Sequence, residues 1–175
     1  MSDLAHINYD LDYEKIMVDC EKAKETRFSI AKAATREERK IYYNYTASPG
    51  WRPTNVIMKS SYTSPYIESV MKDLAWYDPN KNFLRPRSVF FWFGPNCYLP
   101  EHTDLKAQCS LNFILSGNIA PITISGKEYH YKNALLNTQA PHSVDNGPEE
   151  RVIFRISFFE PFEAVLERLK EYANV

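Results

Sequence analysis

From Ser88 to Phe159 the chain breaks into short runs of strand-forming residues, each closed by turn residues, and this texture constrains the fold more than any other feature. The runs are Val89 to Phe93, Tyr98 to Thr103, Gln108 to Leu115, Pro121 to Ser125, Lys127 to Tyr131, Ala134 to Asn137, Pro141 to Val144 and Arg151 to Phe159. No helix-length segment lies between them, so they are not the parallel strands of βαβ units, which need a crossover of about a dozen residues or more. Ser125-Gly126 signals a tight hairpin, and Asp145-Asn146-Gly147-Pro148 signals a chain reversal. Short strands at this spacing predict two facing antiparallel sheets, a mainly β jelly roll whose mouth can hold a site.

Helices flank this core. Asp12 is placed to cap a helix running through Ile16, Met17 and Cys20 towards Lys24, and Thr35-Arg36-Glu37-Glu38 opens a short charged one. Val56-Ile57-Met58 reads as a strand. Ser64 followed by Pro65 and Glu68 starts a helix with Ile67, Val70, Met71 and Leu74 on one side, placed to pack against the larger sheet. Pro161 starts a final amphipathic helix with Val165, Leu166 and Leu169. A length of 175 residues suits one domain, with a helical and irregular part over 1–87, the β core over 88–159 and a C-terminal helix over 160–175.

Composition excludes some classes. A net charge of −1 leaves no chain-wide electrostatic footprint for nucleic acid or an anionic membrane, so neither is expected as a partner. Cys20, Cys97 and Cys109 are odd in number and lack zinc-site spacing, and read as reduced core thiols. Met1 to His6 has neither the basic start nor the apolar stretch of a secretion signal, and the expectation is a cytoplasmic protein. His6 is expected in a mobile terminus and His130 on an exposed hairpin. Oligomeric state is left open.

The chemistry concentrates in His102-Thr103-Asp104, His142, Arg151 and Arg155. In an extended segment residues i and i+2 point to the same side, so His102 and Asp104 can reach one ion while Thr103 faces away. His142 must arrive from elsewhere in the fold. Two histidines and one carboxylate form the ligand set that holds iron(II) on one face and leaves the opposite positions open. On the last strand Arg151, Ile153 and Arg155 share a face, so both cations can look into one cavity. The alternative is a core histidine, a turn aspartate, and Arg151 paired on the surface to Glu149 or Glu150.

These residues resemble the 2-oxoglutarate and iron(II)-dependent oxygenases, whose double-stranded β-helix carries His-x-Asp/Glu after its second strand, a second His on the seventh, and Arg or Lys on the eighth. The run from His142 to Ile153, with its His-x-Val-x-Asn-to-Arg pattern, is most similar to the aspartyl/asparaginyl β-hydroxylase branch, and prolyl hydroxylases are similar at the same places. That branch can lack the carboxylate ligand, whereas Asp104 is present here. The likeness covers Val89 to Phe159. It implies a cupin-like double-stranded β-helix and a dioxygenase that uses Fe(II) and 2-oxoglutarate to hydroxylate a peptide side chain or small metabolite, forming succinate and carbon dioxide. It implies His102, Asp104 and His142 as metal ligands and an arginine for the far carboxylate of 2-oxoglutarate. Arg151 fits by its distance from His142, while Arg155-Ile156-Ser157 resembles the Arg-x-Ser element of plant-type members, so both stay candidates.

Further candidates are softer. Asn112 and Tyr98 are placed to meet the co-substrate, or else to hold backbone and core; Trp92 is placed to line the substrate pocket, or to pack. Tyr42 to Trp51, rich in Tyr, Pro and Gly, reads as a lid or a structural wrapping. Two rival functions use the same fold: a cupin-like metal enzyme without 2-oxoglutarate, which needs no arginine for a diacid, and a non-enzymatic binding module, against which the intact ligand set argues.

Overall fold

The computed structural model describes residues 2–30, 56–75, 85–117 and 121–173. Two antiparallel sheets form its centre. The larger has the order β1-β9-β6-β11-β4-β3-β2 and the smaller the order β5-β10-β7-β8. Their strands are β1 (Leu4–His6), β2 (Phe28–Ser29), β3 (Ile57–Ser60), β4 (Arg87–Phe93), β5 (Tyr98–His102), β6 (Cys109–Ser116), β7 (Ile122–Ile124), β8 (Lys127–Tyr129), β9 (Asn133–Asn137), β10 (His142–Asp145) and β11 (Arg151–Phe158). From β4 to β11 the chain alternates between the sheets in a double-stranded β-helix, with β4, β11, β6 and β9 on one side and β5, β10, β7 and β8 on the other. All eight anticipated runs appear here, with ends shifted by one or two residues.

Period two explains the layering. On β11, Val152, Phe154, Ile156 and Phe158 belong to a core beneath the helices, together with Phe90 and Trp92 of β4. Ile153 points the other way, into a second core between the sheets with Phe93, Leu99, Ile114, Ile122, Ile124 and Val144. The helix-facing side of β11 is therefore wholly apolar, while the side between the sheets carries one apolar residue, Ile153, among polar ones. The odd-numbered Arg151 and Arg155 fall on the face between the sheets.

Three helices cover the outer face of the larger sheet among the described residues: α1 (Tyr13–Ala23), α2 (Pro65–Ala75) and α3 (Phe162–Arg168). Asp12 caps α1 by accepting from the Lys15 amide at 3.1 Å, and Ile16, Cys20 and Ala23 bury one stripe. Ser64 caps α2, accepting from the Ile67 amide at 3.1 Å while donating to the buried Asp19 of α1 at 2.5 Å. One hydroxyl thus ties two helices together over the sheet. The buried face of α2 consists of Ile67, Val70, Met71, Leu74 and Ala75.

The N-terminal part departs from expectation. Leu4–His6 is not a loose terminus but an edge strand, with His6 opposite Ala134 and its side chain exposed. Phe28–Ser29 adds a second short edge strand against β3. Strands of two or three residues hold too few positions to show an alternation, so pairing with an existing sheet defines them. The charged segment at 35–38 and the Tyr-rich stretch 42–51 lie outside the described residues. All three cysteines are free and buried. Among the described residues no helix is long and apolar enough to cross a membrane.

Candidate metal centre

His102 ends β5, Asp104 follows two residues later, and His142 begins β10 directly opposite His102 in the register. A bulge sets the phase. Val144 pairs with Leu99 and His142 with His102, so β5 advances three residues while β10 advances two. The extra residue lets both Leu99 and His102 face the interior although their positions differ by three. Without it, one of them would point outwards.

The three side chains offer one ligand atom each, all within 4.8 Å of one another. Asp104 Oδ1 lies 3.6 Å from His102 Nε2 and 3.8 Å from His142 Nε2, and the imidazole centroids are 4.3 Å apart. The Nδ1 atoms sit 2.7 Å from the Pro100 carbonyl in His102 and 2.9 Å from the Ala140 carbonyl in His142. A carbonyl only accepts, so the neutral rings carry their proton on Nδ1 and turn the Nε2 lone pairs towards Asp104. His142 Nε2 is buried with no hydrogen-bond partner, an orphaned acceptor at the point where the three groups meet. Buried acceptors are rarely left so. A cation bound by both Nε2 atoms and the carboxylate satisfies it, and a His₂-carboxylate set suits iron(II).

Electrostatics agree with this donor set. Burial works to raise the Asp104 pKa, but contact with His102 and the charges of Arg155, His142 and His102 outweigh it and hold the carboxyl at about 2. Burial and the neighbouring His102 push His142 down to about 4 against the pull of Asp104. At neutral pH these two groups are thus a carboxylate and a neutral imidazole, the forms that bind a metal.

From here a line of polar groups crosses the interior. Arg155 Nη1 is 3.9 Å from Asp104 Oδ2, and its guanidinium lies over the Phe91 ring at 4.9 Å. Its Nε donates to Asn112 Oδ1 at 3.1 Å, and Asn112 Nδ2 donates to the Tyr131 hydroxyl at 3.1 Å. Asn112 is 1% exposed, so both amide ends are used in a closed interior. Further along β11, Arg151 is fully buried, and its Nε donates to Asn146 Oδ1 at 3.1 Å. Asn146 is itself fixed, donating to the carbonyls of Gly94 and Glu149 at 2.9 Å each. Burial lowers the Arg151 pKa, against the nearby Tyr131 and Cys97. Neither arginine is a surface partner of Glu149 or Glu150.

Two candidates lie elsewhere. Trp92 is 1% exposed on the helix side of β4, so it packs beneath the helices and does not line the interior; Phe91, one residue out of phase, does. Tyr98 stands at the far end of β5 from His102, next to the inward Leu99, and the alternation carries it to the outer face, away from the His–Asp–His cluster. Asn112, in contrast, lies inside and joins Arg155 to Tyr131. Tyr131 was not singled out in the sequence, and Asn146 stood out there only as a turn residue and as the Asn of the His-x-Val-x-Asn-to-Arg pattern. Its burial in the loop between β10 and β11 and its bond to Arg151 do not follow from the turn signal.

A cavity of about 240 Å³ opens beside Asp104 and Arg155 between the sheets. No protein-family model matches the chain, and no curated protein does. Solved structures do resemble it. A prolyl-4-hydroxylase from Pseudomonas putida superposes with a TM-score of 0.58 at 11% identity, covering 90% of this chain and 93% of that one. The cupin domain of Schizosaccharomyces pombe Cnp3 gives 0.43 at 10% identity, over 64% of this chain and 69% of that one. A predicted oxalate decarboxylase from Thermotoga maritima gives 0.41 at 13% identity, over 59% and 81%. The fold is the cupin-like double-stranded β-helix.

Proposed function

We propose that this protein is an iron(II)- and 2-oxoglutarate-dependent dioxygenase that hydroxylates a small metabolite or a peptide side chain. The observation that carries the reading is the convergence of His102 Nε2, His142 Nε2 and Asp104 Oδ1, with both imidazoles pinned through Nδ1 and one Nε2 left unsatisfied. The fold it shares with a bacterial prolyl-4-hydroxylase is in keeping with this chemistry.

In this reading His102, Asp104 and His142 hold the iron, and Arg151 receives the far carboxylate of 2-oxoglutarate. When bound, iron(II) with 2-oxoglutarate and dioxygen supplies oxidation of an unactivated C–H bond, with succinate and carbon dioxide as co-products. The chain's residues do the positioning. The carbonyls of Pro100 and Ala140 hold the imidazole tautomers, Arg155 keeps Asp104 ionised, and Asn146 orients the Arg151 guanidinium. Arg151 suits a carboxylate because its planar fork makes two parallel hydrogen bonds, worth roughly 1.5–3 kcal/mol in an enclosed site. Arg155 stands beside the metal ligand instead, about 13 Å along the strand from Arg151 at a rise near 3.3 Å per residue. The interior packing of Ile114, Ile122 and Val144 keeps water from this space.

Iron(II) and then 2-oxoglutarate, added without oxygen, should give the visible metal-to-ligand charge-transfer absorption, and Arg151→Leu should weaken 2-oxoglutarate binding by about 10- to 100-fold. Iron binding without that absorption, at any concentration of 2-oxoglutarate, refutes the proposal.

A further inference from the structure

The cavity beside Asp104 has a charge that the metal centre does not require. Lys59, Arg87, Lys106 and Arg155 line it, and Asp104 is the only acid among the described residues that do so. Asp104 is engaged by two imidazoles and Arg155. Arg87 and Lys106 are exposed at the mouth, and neither has a carboxylate within 4.0 Å among the described residues. A cleft lined by one sign of charge between low-dielectric walls concentrates ligands of the opposite sign. The remaining wall is apolar, with Phe91 and Phe159 inside and Leu105, 63% exposed, at the rim. The guanidinium of Arg87 lies over the Phe159 ring at 5.7 Å and that of Arg155 over Phe91 at 4.9 Å, so cation and ring are presented side by side.

An adjoining cavity sharing Ser61, Arg87 and Ser88 is different in character, because Glu68 stands in it and pairs with Arg85 at 3.6 Å. The excess positive charge therefore belongs to the chamber next to the metal ligands. At about 240 Å³ that chamber is smaller than the roughly 300 Å³ lower bound for drug-sized ligands.

The geometry points to a small organic anion as the molecule acted on: one carboxylate or phosphate, met by Arg87 and Lys106, on an apolar body of about one ring, held against Phe91 and Phe159 with its reactive carbon turned to the Asp104 side. That the occupant is a substrate rests on the oxygenase reading; that the chamber selects small anions rests on its lining alone. Neutral molecules of the same shape leave two cations at the mouth without a counter-charge.

Three probes of one shape test this by calorimetry on the full chain loaded with iron(II) and 2-oxoglutarate without oxygen: benzoate, phenyl phosphate and benzamide. Benzoate or phenyl phosphate should bind at least tenfold more tightly than benzamide, and the tighter of the two identifies the anionic group. The double variant Arg87→Gln with Lys106→Gln changes only exposed side chains, so it should fold normally and lose at least tenfold of the anion affinity with benzamide unchanged. Equal affinity for all three probes, no binding of any, or anion binding that survives the double variant overturns the inference. The two proposals fail separately. Selective anion binding without the charge-transfer absorption leaves the anion site standing and removes the oxygenase, whereas the absorption without selectivity removes only the anion preference.

Discussion

Replacing Asn112 by leucine tests whether the polar line through the interior is a connected unit. The side chains are close in size, so the variant creates little cavity and the loss is mainly of hydrogen bonds. Two are removed together: Arg155 Nε to Asn112 Oδ1 and Asn112 Nδ2 to the Tyr131 hydroxyl, both at 3.1 Å. The first has a charged donor and is worth roughly 1.5–3 kcal/mol, and the second, between neutral groups, about 1 kcal/mol. The Arg155 side chain is 14% exposed, so water partly replaces the lost acceptor and the lower figure applies. The expected loss is about 2–3 kcal/mol, or roughly 4–12 °C in Tm for a chain of this size. Urea unfolding of the metal-free protein measures it. A cycle with Tyr131→Phe then separates the parts: in the Asn112→Leu background, Tyr131→Phe should cost about 1 kcal/mol less than in the parent. A loss under 0.5 kcal/mol, or strict additivity in the cycle, refutes the view that Asn112 holds Arg155 and Tyr131 in place.

His142→Ala should reduce affinity for iron(II), or for manganese(II) as its air-stable substitute, by at least about 100-fold in calorimetry, while Trp92→Phe, on the other side of the sheet, leaves it unchanged. Stability of the metal-free protein should fall on acidification. The His142 pKa is depressed to about 4 from an ordinary 6.5, so the unfolded chain takes up the proton first, and stability held above pH 6.5 is lost as pH drops towards 4. Asp104, held at about 2, adds a contribution that stands above its ordinary 3.8 and disappears only as pH approaches 2. Urea midpoints of His142→Gln should lack the first of these slopes. Gly117→Ala should destabilise by about 3 kcal/mol in urea unfolding, because Gly117 has φ +91° and a Cβ there collides with the Glu150 carbonyl at the start of β11.

Much of the fold was legible because its information is local. Alternation, turn residues and helix caps are written within a few positions of one another, and eight strands, the Asp12 and Ser64 caps and the buried stripe of α2 follow from them. That Arg151 and Arg155 share one face follows from parity on β11. For Trp92 the choice between lining the pocket and packing stayed open, because parity says that neighbours on β4 face opposite ways but not which side is the interior, and both sides of that strand are apolar. Tyr98 misled because β5 contains a bulge, and an extra residue reverses the parity beyond it without any mark in composition.

The sequence by itself determined the strand pattern, the helix starts, and which side chains offer metal-ligand atoms or fixed positive charge, since these depend on residue type and short-range periodicity. Only the tertiary structure decided that β5 and β10 lie side by side, which puts His142 against His102, that Asn112 joins Arg155 to Tyr131, and that Asn146 holds Arg151. It also gathered Lys59, Arg87 and Lys106 around one chamber. Those groups are tens of residues apart, and their meeting is a property of sheet order and register, which arise from burying both faces of the larger sheet at once.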